Sequence, residues 1–289
     1  MEKTINMKIQ RITLYAALAV LVIAGIILMT GRANAMNDRS VNGSIALPAD
    51  RTITVNEGVE TKINFGTNYD NTSYHYLRIK ASKTGYIVFT NDYSHGYNVA
   101  LCNANKKVIS VENKSYDDFY SAGSQYKYQT ILNYGVKKGK TYLIRIKGNS
   151  SEHNTYKDPY IGTVKWINKS VKAVKFGKSK KKAKTLKKGK KINGMFTAGN
   201  KKAQWYKIKS KKKRTNIYIS APKANGSIIG QVYYKSLGKW YSIKLRTFRS
   251  DSAYKRSGYI QAYNSRKNTY YVKVYPDYKV SGAYTLKWK

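Results

Sequence analysis

The chain has 289 residues, with 55 Lys and Arg against 14 Asp and Glu, for a formal net charge of +41. A surplus this large keeps a protein soluble by self-repulsion and concentrates it against polyanions. One cysteine excludes an internal disulfide, and three scattered histidines with one cysteine lack the spacing of a zinc site.

The N-terminus reads as an export signal. Lys3, Lys8 and Arg11 form a basic region, Ile12–Met29 is an uncharged and almost wholly apolar run, and Ala33-Asn34-Ala35 has the small-x-small form of a cleavage site. Residues 1–35 are therefore expected as a signal helix, cleaved to leave Met36. The apolar run of 18 residues is also just long enough to span a bilayer, so an uncleaved anchor is the alternative. Either way the rest of the chain lies outside the cytoplasm.

Residues 36–50 read as a flexible lead with Asn, Ser, Gly and Pro48. From Arg51 the pattern is that of short strands separated by Gly, Asn, Asp and Ser turns. Leu77 and Ile79 alternate with Tyr76, Arg78 and Lys80; Tyr142, Ile144 and Ile146 form the inward side of a later strand. Val99–Cys102 is strand-like, and Cys102 reads as a small buried or half-buried residue. Residues 112–130 read as a long loop.

The chain then repeats itself. Thr54–Phe65 aligns without a gap on Thr185–Phe196, Tyr76–Lys80 matches Trp205–Lys209, Thr141–Ile146 matches Thr269–Val274, and Thr163–Trp166 matches Thr285–Trp288. Four anchors in the same order predict two tandem domains: 51–168, a linker at 169–178, and 179–289. The lysine-rich run 178–191 belongs to the second domain's first strand and turn, because Thr185, Leu186 and Gly189 stand where Thr54, Val55 and Gly58 stand in the first copy. Charge separates the copies. Residues 36–168 hold 17 basic and 11 acidic side chains, a net of +6, whereas residues 169–289 hold 34 and 2, a net of +32.

Alternation predicts the second core from Tyr206 and Ile208, Ile217 and Ile219, Tyr241, Ile243 and Leu245, Ile260 and Ala262, and Tyr270, Val272 and Val274. The opposite face is expected to show Trp240, Lys244, Arg246, Tyr259, Tyr263, Tyr271, Lys273 and Tyr275, supplemented by the lysine runs Lys180, Lys181, Lys182 and Lys211, Lys212, Lys213. Flat aromatic rings stack sugar rings, and neighbouring ammonium groups pair with phosphate or carboxylate. The same residue types are also favoured in any strand and at any sheet edge.

These elements resemble the bacterial pre-peptidase C-terminal domain, a jelly-roll-like β-sandwich of secreted proteins. The resemblance rests on Gly189–Phe196, Trp205–Lys209, Val99–Asn103, Lys140–Ile146 or Asn268–Val274, and the closing Tyr284-Thr285-Leu286. It implies an all-β fold of two tandem antiparallel sandwiches and a non-catalytic accessory role in secretion, surface attachment or substrate contact. The chain departs from that family's usual setting in having no catalytic domain beside the modules.

No constellation spells out a reaction. A hydrolase would need a nucleophile and base or paired carboxylates; Asp92 and His95 are the nearest candidates in the first copy, and the second has no histidine. No cofactor is expected, with a structural Ca²⁺ in the first domain, held by Asp70, Asp92, Asp117, Asp118 or Glu112, as the alternative. The sequence therefore points to a secreted or cell-surface protein whose cationic second domain associates with anionic cell-wall or extracellular polysaccharides. Glycan recognition by aromatic stacking is the second reading, an anionic membrane surface a further partner, and nucleic acid a nonspecific one. The sequence carries no signal of oligomeric state.

Overall fold

The computed structural model describes residues 44–65, 73–93, 97–114, 128–148, 161–211, 214–237, 239–247, 257–263 and 268–289. The chain divides into a segment of residues 1–46 and a compact unit, Leu47–Lys289, that holds both copies. The described end of the segment is a two-residue strand, β1 (Ile45–Ala46). The expected signal segment lies outside the described residues.

Among the described residues each copy contributes nine strands. The first has β2 (Thr52–Thr54), β3 (Thr61–Asn64), β4 (Tyr74–Lys80), β5 (Gly85–Tyr93), β6 (Tyr97–Asn103), β7 (Asn113–Lys114), β8 (Tyr128–Val136), β9 (Thr141–Gly148) and β10 (Ile161–Ser170). The second has β11 (Lys184–Thr185), β12 (Ile192–Phe196), β13 (Gln204–Ser210), β14 (Arg214–Ala224), β15 (Ile228–Ser236), β16 (Lys239–Arg246), β17 (Ser257–Tyr263), β18 (Asn268–Pro276) and β19 (Gly282–Trp288). The described residues contain no helix.

A five-strand sheet, β2-β4-β9-β6-β7, opposes β3-β10-β5-β8 in the first copy; β11-β13-β18-β15-β16 opposes β12-β19-β14-β17 in the second. The second pattern is the first advanced by nine strands, and it is the interleaved double Greek key of a jelly roll. The fold is all-β, as expected. Most of its pairs are antiparallel, whereas β2 runs parallel to β4, and β11 to β13.

The same hydrogen bonds close both sandwiches. Val55 N–H donates to Arg78 O at 3.1 Å, as Leu186 N–H does to Lys207 O at 2.8 Å. The last strand then locks the turn that follows. Trp166 Nε1 donates to Val55 O at 3.0 Å and Trp288 Nε1 to Leu186 O at 3.2 Å. In return Gly58 N–H donates to Trp166 O at 2.8 Å and Gly189 N–H to Trp288 O at 2.9 Å. Gly58 and Gly189 have φ of 81° and 73°, a conformation that costs an L side chain energy and glycine nothing. Both tryptophans are buried.

The second core joins both sheets, with Tyr206, Ile208, Val232, Tyr270, Val272 and Val274 facing Phe196, Ile217, Ile219, Ile260, Tyr284 and Leu286. At its centre Tyr206 and Tyr284 place their hydroxyls 2.8 Å apart, and Tyr284 donates to Gln204 Oε1 at 2.6 Å. Gln204 Nε2 donates to Met195 O at 2.6 Å. Burial pushes the Tyr206 hydroxyl up to about 12 and raises that of Tyr284 well above its ordinary value.

Three expectations need correction. Tyr241 and Ile243, expected inside, are 44% and 37% exposed. Their strand is the edge of a five-strand sheet facing a four-strand one, so it overhangs the core, and of that trio only Leu245 packs against it. Tyr76, expected outside, is buried with Cys102 and Leu143 in a small second cluster beneath Val108. Part of the expected flexible lead is fixed: Leu47 N–H donates to Asn64 O at 2.8 Å and Leu47 O lies 2.9 Å from His75 Nδ1. Cys102 is fully buried, as expected, and burial pushes its thiol up to about 11. The expected loop at 112–130 has strands at both ends, β7 and the start of β8, while 115–127 lie outside the described residues.

Nor do the copies hang on a tether. Strand β10 continues through Ser170, and Val174 N–H donates to Asn193 O at 3.0 Å, so the expected linker is bonded into the second sandwich. Strand β8 of the first copy docks directly: Ala198 N–H donates to Gly135 O at 2.7 Å, and Gly135 N–H to Ser281 Oγ at 3.1 Å.

Removing the indole donor with Trp288→Phe leaves the Leu186 carbonyl buried without its partner, and should cost about 1–3 kcal/mol in urea denaturation. The raised tyrosines also set a sign for alkaline pH. Protons held in the folded state and released by the unfolded chain make this contribution complete below pH about 10 and lost as pH climbs through the folded values. Urea midpoints measured from pH 8 to 11 should fall only above about pH 10, and Tyr206→Phe should fall less steeply than the parent.

Candidate functional site

The site is the outer face of the second copy's five-strand sheet, and strand register builds it. Trp205 pairs with Lys273, and Lys207 with Tyr271. Across the next seam Lys273 meets Gln231, Tyr271 meets Tyr233, and Tyr275 meets Ile229. Beyond that, Gln231 faces Lys244, Tyr233 faces Ser242, and Lys235 faces Trp240. Because side chains alternate along a strand, these residues share one surface, opposite the buried Tyr206, Ile208, Val232, Val272 and Val274.

The rings make a continuous platform. Trp205 stacks on Tyr233 with centroids 5.6 Å apart, and Trp240 meets Tyr271 edge-on at 5.9 Å. Lysines stand among them. Lys273 Nζ lies 5.0 Å from the Tyr275 centroid and 5.8 Å from that of Trp205, and Lys207 Nζ lies 5.9 Å from that of Tyr271. Gln231 Nε2 donates to Ser242 Oγ at 3.1 Å, placing neutral hydrogen-bonding groups on the same face.

Lys180 arrives from outside the sheet. Gly177 exchanges both backbone hydrogen bonds with Trp205, at 3.0 and 2.9 Å, and the turn that follows folds back so tightly that a Cβ on Gly177 would lie 2.0 Å from Lys182 O. This turn delivers Lys180 Nζ to 3.1 Å from the Trp240 centroid, 5.2 Å from that of Tyr271 and 5.6 Å from that of Tyr233. Partial desolvation of the ammonium lowers its pKa. Lys181 and Lys182, its neighbours in sequence, are exposed.

Structure thus brings together Trp240, Lys244, Arg246, Tyr271, Lys273, Tyr275 and Lys180. Arg246 is partly engaged, 3.4 Å from Asp277. Tyr259 and Tyr263 do not belong to this group. They lie on β17 in the opposing sheet, where Tyr259 pairs with Tyr218 and Tyr263 with Arg214. Tyr259 is 60% exposed, with its ring 5.7 Å from that of Tyr218, which Lys289 approaches to 5.8 Å. Both sheets show an outer face, and alternation does not tell which of the two a tyrosine joins. Lys211 is exposed at the end of β13, and Lys212 and Lys213 lie outside the described residues.

Three residues of the platform, Trp205, Lys207 and Tyr233, are absent from the sequence-based set. Assigning Tyr206 and Ile208 to the core implies that Trp205 and Lys207 face outward. Tyr233 was readable only after recognising Ile228–Ser236 as a strand.

The first copy shows the same positions used differently. Register places Tyr76, Cys102 and Leu143 where Trp205, Tyr233 and Tyr271 stand, and there they are buried under Val108. Lys106 Nζ covers the Tyr76 ring at 4.6 Å and donates to Asp50 O at 3.0 Å. One copy seals this surface with its own chain; the other leaves rings half-exposed.

Elsewhere, a cleft at the junction of the copies is lined by residues including Tyr86, Lys172, Asn193, Lys223 and Tyr284, with no carboxylate or histidine among its lining residues. His75 is buried with Nδ1 facing a backbone carbonyl. His95, His153 and the Asp92 side chain lie outside the described residues, as do Asp70, Asp117 and Asp118. Glu112 is paired with Arg145 at 3.0 Å.

No family model and no curated protein matches the chain. Among solved structures it is similar to a Paenibacillus xanthan lyase, at 11% identity and a TM-score of 0.28, covering 80% of this chain and 25% of the lyase. It is also similar to the CBM22-1-CBM22-2 tandem of Paenibacillus barcinonensis Xyn10C, at 9% identity and 0.21, covering 76% of each chain. The CUB1-EGF-CUB2 domains of rat MASP-1 match at 7% identity and 0.23, over 82% of this chain and 100% of that one. The chain spans about a quarter of the lyase's length. Likeness this distant carries no functional inference.

Trp240 sits half-exposed on an edge strand, so Trp240→Ala should lower stability by less than about 1 kcal/mol. Thermal denaturation of the two proteins side by side checks this, and a preserved melting temperature makes the variant a clean probe of the surface.

Proposed function

We propose that this is a secreted, non-catalytic binding protein that holds anionic cell-wall or matrix polysaccharides on the outer face of its second sandwich. The observation that carries this reading is the joining of four rings, Trp205, Tyr233, Tyr271 and Trp240, with Lys180, Lys207 and Lys273 on one sheet face. A sugar polymer with acidic substituents has two features, flat rings of C–H groups and regularly spaced anions. The face offers a partner for each. Its setting adds a long-range term, since a net of +32 over residues 169–289 draws polyanions from several ångströms away. The first sandwich, nearly balanced in charge, docks on the sheet opposite the platform and leaves the platform face uncovered, on a frame like that of the pre-peptidase C-terminal domains. The basic and apolar N-terminal run ending in Ala33-Asn34-Ala35 supports export to where such polymers occur.

Sedimentation of the protein with Gram-positive cell walls, intact and stripped of teichoic acid, tests the reading across about 0.05–0.5 M salt, where the screening length shrinks from over 10 Å to about 4 Å. Binding should fall on stripping and with rising salt. At low salt Trp240→Ala should weaken it about tenfold, while Tyr259→Ala, on the opposing sheet, leaves it unchanged. Salt-resistant binding indicates neutral glycan stacking instead, and absence of binding at low salt overturns the proposal.

A further inference from the structure

The ring of Trp240 already has an occupant. Lys180 Nζ, 3.1 Å from its centroid, stands where a stacked sugar would have to lie. Tyr271 and Tyr233 complete a three-sided box around the ammonium, at 5.2 and 5.6 Å. Among the described residues no carboxylate forms an ion pair with Lys180, and the second copy has only Asp251 and Asp277, of which Asp277 is already beside Arg246. Aromatic rings attract a cation strongly when it is partly desolvated. They thus hold this lysine where an acid would in a less basic domain.

We propose that Lys180 is a displaceable plug that makes the platform select acidic sugars over neutral ones. A ring stacking on Trp240 must evict the ammonium. A neutral sugar offers the evicted ammonium no new partner, so the lost cation–ring attraction is subtracted from the affinity. An acidic sugar brings its own counter-charge. The ammonium swings a few ångströms on its flexible stem and pairs with the carboxylate, and the contact is exchanged rather than lost. Gly177, three residues before Lys180, is bonded through its backbone to Trp205, so the turn keeps the ammonium beside the bound polymer.

The inference rests on the proposed glycan reading and names the residue that sets its specificity. Its test is calorimetric titration of the full chain with a galacturonan oligosaccharide and the methyl ester of the same oligosaccharide, which share a backbone and differ in charge. Lys180→Met keeps the aliphatic stem and removes the cation, whereas Lys181→Met removes the same charge from an exposed neighbour. The parent and Lys181→Met should prefer the acid at least about tenfold. Lys180→Met should bind the ester about tenfold more tightly than the parent does, and the acid no more tightly, so that the preference collapses. Equal shifts in both methionine variants mean a general charge effect and overturn the plug, leaving the glycan reading intact. A parent that binds neither oligosaccharide overturns the plug as a selector of acidic sugars, and the cell-wall sedimentation then decides the polyanion reading separately.

Discussion

Each sandwich depends on a lock between its last strand and its first turn. The tryptophan near the end of the copy donates its indole hydrogen to a carbonyl just after the first strand, and its own carbonyl accepts from the glycine that follows. In a jelly roll the last strand lies inside its sheet, between the second and fourth, so the fold is incomplete until the chain end arrives. A buried donor and acceptor that satisfy each other across more than 100 residues of sequence make that arrival specific as well as hydrophobic. Left-handed glycines at the turn let the backbone present a carbonyl to the indole and an N–H to the same tryptophan's own carbonyl.

Upon this shared frame the two copies differ mainly in what they put outside. The first covers its five-strand sheet with the segment after β6, burying Tyr76, Cys102 and Leu143. The second extends that segment into β16 and sets large rings at the same three places. Duplication supplies an internal comparison. Side chains that serve as a satellite core in one sandwich have become, in the other, a surface of rings with cations between them.

Charge composition explains the form this surface takes. Among the described residues, ion pairs join Arg145 to Glu112, Lys165 to Glu60 and Arg246 to Asp277, and only the last lies in the second copy. With so few carboxylates, lysines of the second copy find aromatic faces instead, Lys180 most closely. Such contacts are weaker and more readily exchanged than buried ion pairs. A surface built on them remains open to an anion arriving from outside.

Much of this architecture was legible in the sequence. The repeat marked by Gly58 and Gly189, Trp166 and Trp288, and the alternation through Tyr206–Ile208 and Tyr270–Val274, depends on local periodicity and on turn chemistry, which are written residue by residue. The all-β class, the two copies and most of the core follow from them. The uneven charge was equally plain. What only the tertiary structure decided is which outer face each residue joins. Tyr259 and Tyr271 obey the same alternation yet stand on opposite sheets, because period two separates inside from outside and says nothing about which sheet a strand enters. The exposure of Tyr241 and Ile243 follows from unequal sheet widths, a property of the assembled sandwich. The position of Lys180 over Trp240 is likewise a product of the fold: residues 60 apart meet because a turn pinned to Trp205 overhangs the sheet that carries β16.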